Sequence, residues 1–70
     1  MERSVITMTD DELSAIAFTE AQKRHTHPYS ISLYATGFID GYKGYDRAQL
    51  SEVEQSVYSM GYAQGMRYNE

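Results

Sequence analysis

Few side chains in this 70-residue sequence have the types and spacing to do chemistry. His25-x-His27 with Glu20 offers metal-ligand types, but there is no cysteine and no third ligand at a convincing spacing. Two histidines at a helix end more often hydrogen-bond or face water, so no metal is expected. Their titration near neutrality would make an interface they touch pH-sensitive. Ser30, Ser32, Ser51 and Ser56 read as cap or exposed-helix residues, and none stands in a G-x-S-x-G nucleophile elbow. Gly41-Tyr42-Lys43-Gly44 lacks both the spacing and the strand–loop–helix setting of a phosphate loop. Paired carboxylates would need a cleft that so small a chain can hardly enclose. The expectation is a protein that is no enzyme and takes no cofactor.

The elements that would position these groups are helical. Thr9 and Glu12 form a capping box with Asp10 and Asp11 in the first turn, and Leu13, Ile16, Ala17 and Ala21 recur at helical spacing. Lys23 and Arg24 suit a last turn, so a first helix is predicted over 10–24. His25-Thr26-His27-Pro28 breaks it, and Pro28 also suits the first turn of the next helix. Ile31, Tyr34, Ala35, Phe38 and Tyr42 make the stripe of a second helix over 29–43, stopped at Gly44, with a turn at 43–46. The third helix starts at Asp46 (with Gln49) or at Ser51 (with Glu54) and ends near 67. Residues 1–8 read as an extended or irregular arm. The fold class is all-α, one domain over 1–70, with three short helices in a small hairpin or bundle.

A chain this short buries only about 60 % of its unfolded surface. With no cysteine to form disulfides, homodimerisation is the expected means of completing the core. The net charge of −4 and the scattered Arg3, Lys23, Arg24, Lys43, Arg47 and Arg67 argue against general nucleic-acid binding. Asp10, Asp11 and Glu12 complement a helix N-terminus and form a possible acidic patch. No run approaches the length of about 18 apolar residues that spans a membrane, and Met1-Glu2-Arg3-Ser4 does not resemble a signal peptide. A cytoplasmic protein is expected.

The most informative pattern is a repeat. Residues 34–42 read Y-x-x-G-F-x-x-G-Y and residues 58–66 read Y-x-x-G-Y-x-x-G-M, starting 24 residues apart. In a helix Gly37 and Gly41 share a face about 80° from the middle of the Tyr34/Phe38/Tyr42 stripe, and Gly61 and Gly65 bear the same relation to Tyr58/Tyr62/Met66. Each helical glycine costs about 1 kcal/mol relative to alanine, so a close approach to the backbone is implied. The two stripes either face each other in an antiparallel hairpin or mate across a dimer axis. Val53, Val57 and Met60 occupy the other flank of the third helix, leaving Tyr58, Tyr62 and Met66 as a second apolar face. A helix apolar on two sides is covered on two sides, so that face is expected to meet another chain. All seven tyrosines lie between 29 and 68, and tyrosine suits such contacts. The rings and glycines could equally be filler and close packing within one chain.

Paired aromatic–glycine helices resemble those of short accessory proteins of phages and prophages, and distantly the ribosome modulation factor family. The likeness covers 34–42 and 58–66. It implies a small helical fold, and for the second family a ribosome partner reached through a basic surface, which this acidic chain lacks. For the phage type it implies a protein that plugs a surface of a host complex, a CRISPR or other defence system being the most specific case. The expected function is such a protein-binding inhibitor, with Tyr58, Tyr62, Met66 and Tyr68 as anchors and Asp10, Asp11 and Glu12 against a basic host surface. The alternative is a ribosome- or RNA-binding modulator using Lys23, Arg24, Lys43, Arg47 and Arg67. A transcription or replication factor ranks below both, since no helix is rich in Arg, Asn or Gln.

Overall fold

The computed structural model describes residues 8–69 and contains α1 (Asp10–Arg24), α2 (Pro28–Lys43) and α3 (Glu52–Tyr68). The local signals act where they stand. Thr9 and Glu12 form a reciprocal capping box on α1, and Ser51 and Glu54 do so on α3. Between the two candidate starts of the third helix, the later one is used. His27 caps α2, with Pro28 already inside the first turn. Gly44 ends α2 at φ 76°, the left-handed conformation that glycine reaches without a Cβ penalty. The arm expected over 1–8 lies outside the described residues except for Met8, which packs against the core.

The link 25–27 folds α1 back antiparallel on α2, so that Asp10 at the start of α1 pairs with Lys43 at the end of α2, 3.2 Å apart. Leu13, Ala17 and Ala21 bury themselves against Tyr34, Ala35 and Phe38. Small alanines let the helices approach while the large rings of α2 fill the space between them.

The α2–α3 pair corrects one expectation. A Cβ at Gly37 or Gly41 would overlap the backbone carbonyl of Tyr58 or Tyr62, and one at Gly61 or Gly65 that of Tyr34 or Phe38. Contact positions rise together along both helices, so α2 and α3 run parallel, not as an antiparallel hairpin. The register is the repeat itself: adding 24 to a residue of α2 gives its counterpart on α3, and Gly37–Tyr58 mirrors Gly61–Tyr34. The glycine stripes thus meet inside one chain.

A parallel pair needs a return path. Helix α2 has 16 residues, a length of about 24 Å. The eight residues 44–51 can reach about 26 Å when extended. Where a tight turn at 43–46 was expected, only Gly44 turns and 45–50 form an irregular strap back to the start of α3.

Candidate functional site: a groove between α1 and α3

The pseudo-two-fold arrangement gives the α2–α3 pair two aromatic flanks on opposite sides, and different elements cover them. Helix α1 covers Tyr34 and Phe38 of α2. The strap 45–50 covers Tyr58 and Tyr62 of α3. The backbone N–H of Ala48 donates to the Tyr58 hydroxyl at 3.0 Å, and that hydroxyl donates to Asp40 Oδ2 at 2.6 Å. Tyr62 O–H donates to the Tyr45 carbonyl, and the Arg47 guanidinium lies 4.7 Å from the Tyr62 ring centre.

This overturns the choice of exposed face on α3. Tyr58 is fully buried and Tyr62 is 9 % exposed, both against their own strap, so neither presents an anchor to another molecule. The opposite flank is the open one: Val53 is 80 % exposed and Met60 47 %. The sequence offered two apolar flanks and could not say which one the strap would take. Met66 and Tyr68 remain about half exposed. The Tyr68 ring packs edge-on to Phe38, with centroids 5.0 Å apart.

The acidic triplet is partly committed. Asp10 pairs with Lys43, Glu12 Oε1 accepts the Thr9 N–H at 3.0 Å, and Asp11 is exposed. The histidines do not converge: His27 Nδ1 accepts the Tyr29 N–H, whereas the His25 ring packs against Tyr34. Among the described residues no three His, Asp or Glu side chains gather in a way that could hold a metal ion.

No family model, curated protein or solved structure matches the chain. Among the described residues no helix is long and apolar enough to cross a membrane.

Between α1 and the open flank of α3 runs a groove with two depressions. One, of about 230 Å³, is lined by Ala15, Ile16, Thr19, Glu20 and Tyr68. The other, of about 270 Å³, is lined by Arg24, Tyr34, Met60, Ala63 and Gln64. Glu20 stands between them, accepting from Arg24 Nη1 at 2.9 Å, Lys23 Nζ at 3.3 Å and Tyr68 O–H at 3.3 Å. The Arg24 hydrogen bond, helped by Lys23 and Tyr68, holds its carboxyl below the usual carboxylate range despite partial burial. The same contact raises Arg24 further. Tyr34 forms part of the floor. Burial pushes its phenol up, Arg24 acts to lower it, and Glu20 and Tyr68 act to raise it.

Neither Met60 nor Gln64 stood out in the sequence as a site residue, Tyr34 stood out only in the repeat, and Glu20 and Arg24 were weighed only for a metal site and for RNA binding. The available signal was the i, i+4, i+7, i+11 run Val53, Val57, Met60, Gln64, which marks an α3 flank with no helix assigned to it. The five cations required by a ribosome-binding surface are dispersed. Lys23 and Arg24 sit on Glu20, Lys43 on Asp10 and Arg47 on Tyr62, while Arg67 is exposed on α3.

Proposed function

We propose that this chain is a non-enzymatic protein-binding module, acting as an inhibitor of a bacterial host complex of the kind phages direct against defence systems. The observation that carries the binding reading is the open α3 flank, where Val53 and Met60 project beside a groove bounded by Ile16, Arg24 and Tyr68. Exposed apolar side chains rimmed by charge make a surface that excludes water when a partner closes on it. The anti-defence assignment rests on the likeness of the aromatic–glycine repeats to phage accessory proteins. The anchors of this reading are Met60 and Tyr68, with Val53 at the edge. A cytoplasmic location in the host and a homodimer of the 8.0 kDa chain belong to the same proposal.

The test is capture from bacterial lysate with tagged protein, read by mass spectrometry, beside molar mass by light scattering. A stoichiometric host protein complex that is lost with Met60→Glu supports the reading. Truncating an anchor to alanine is expected to cost about 2 kcal/mol of affinity. Recovery of ribosomal subunits, released by moderate salt, would replace this reading with the ribosome-modulator one. A mass of one chain would remove the homodimer.

A further inference from the structure

The floor of the α1–α3 groove indicates what the partner inferred above presents to it, and the inference rests on that reading. Tyr34 is fully buried, and its hydroxyl pairs with no group among the described residues. A buried hydroxyl without a partner is costly to a folded chain. Tyr34 lines a depression whose other walls are Arg24, Gln64 and the apolar Met60 and Ala63.

The internal repeat shows what such a hydroxyl takes. Tyr58 is the counterpart of Tyr34, and Asp40 is the counterpart of Gln64, each 24 residues apart. On the strap side the Tyr58 O–H donates to the Asp40 carboxylate at 2.6 Å. On the groove side the chain replaces that carboxylate with a neutral amide and adds a cation. Arg24 has one nitrogen on Glu20, its guanidinium carbon lies 5.4 Å from the Tyr34 ring centre, and its side chain is 39 % exposed. The nearby Glu20 carboxylate is already engaged by Arg24, Lys23 and Tyr68. The notch therefore offers donors from Tyr34, Arg24 and Gln64 with no carboxylate among its walls. The acceptors at hand are the Gln64 amide oxygen and Nε2 of His25, which has no partner among the described residues and whose ring packs against Tyr34.

We propose that this notch is a carboxylate-binding site, which accepts an Asp or Glu side chain flanked by apolar residues on the partner protein. The carboxylate takes a free Arg24 N–H and, once the exposed Arg24 side chain shifts to uncover it, the buried Tyr34 O–H, while its apolar neighbours lie on Met60 and Ala63. It restores on the groove side the tyrosine–carboxylate pair that Tyr58 and Asp40 make on the other.

The experiment is an NMR titration of the full chain with 3-methylbutanoate, and with 3-methylbutanamide as the uncharged probe of the same shape. Saturable shifts at the Arg24 side-chain N–H and the Gln64 amide with the acid alone are expected. Loss of one charge-assisted hydrogen bond should weaken that binding about tenfold in Tyr34→Phe. Arg24→Gln, at an exposed side chain that leaves the core intact, should weaken it comparably. Tyr34→Phe should also unfold at the same or a higher temperature, because the orphaned hydroxyl is gone. Equal response to the amide, unchanged affinity in both variants, or no saturable shift overturns the site. The titration reads the notch alone. Acid binding without a captured host protein would overturn the protein-binding reading only, and a captured partner indifferent to both substitutions would overturn the notch only.

Discussion

The backbone carbonyl of Tyr34 fills the space where a side chain at Gly61 would begin, and Tyr58 stands in the same relation to Gly37. Two helices touching through backbone at four glycines hold their register by shape. No hydrogen bond between α2 and α3 need be invoked for that register.

Gly61→Ala should lower stability by about 1–3 kcal/mol, because the obstacle is backbone and cannot swing aside. Local propensity points the other way, since alanine favours an isolated helix by about 1 kcal/mol. Urea unfolding of the variant separates the two, and a midpoint at or above the parent's would refute backbone contact at this position.

Tyr58→Phe should cost about 1–3 kcal/mol, since it strands both the Ala48 N–H and the Asp40 carboxylate. The strap should loosen first, so amide exchange at Ala48 should accelerate before exchange within α2. Tyr34→Phe provides the contrast, because that hydroxyl has no partner to lose.

Stability should fall at both ends of the pH range, for opposite reasons. Tyr58 is raised by burial and by its bond to Asp40, and Tyr34 by burial. A phenol raised on folding stabilises fully below its unfolded pKa of about 10, and that contribution is lost as pH climbs through the folded value. Glu20 is lowered chiefly by Arg24, so its contribution is present above about pH 4.5 and is lost as pH falls through the folded value. Melting temperatures across pH would show it: Glu20→Gln should flatten the acid limb and, because its charge helps to raise Tyr34, soften the alkaline limb by a smaller amount.

Ser51→Ala should destabilise by about 1 kcal/mol by removing the acceptor for the Glu54 N–H and half of the capping box. Amide exchange in the first turn of α3, where the strap joins, should accelerate, with a small loss of total helix content by circular dichroism. Gly44→Ala should cost about as much through its positive φ, in open space with no clash to relieve.

Short-range chemistry made much of this protein readable from residue order. Thr9/Glu12, Pro28, Gly44 and Ser51/Glu54 set helix ends because a cap acts on groups within three or four residues of itself. The 24-residue repeat likewise announced that glycine stripes would meet something closely. It could not announce direction. Parallel and antiparallel pairings present the same glycines, and the choice falls to a strap long enough to return along α2. Nor could it tell which flank of α3 would be covered, because Tyr58/Tyr62 and Val53/Met60 are both apolar. The strap settles that by carrying the Ala48 N–H and the Tyr45 carbonyl to two phenols, partners that valine and methionine could not have satisfied. The groove against α1 is what remains after that decision, and its residues come from all three helices. Periodicity within one helix carries no information about which positions of another it will meet.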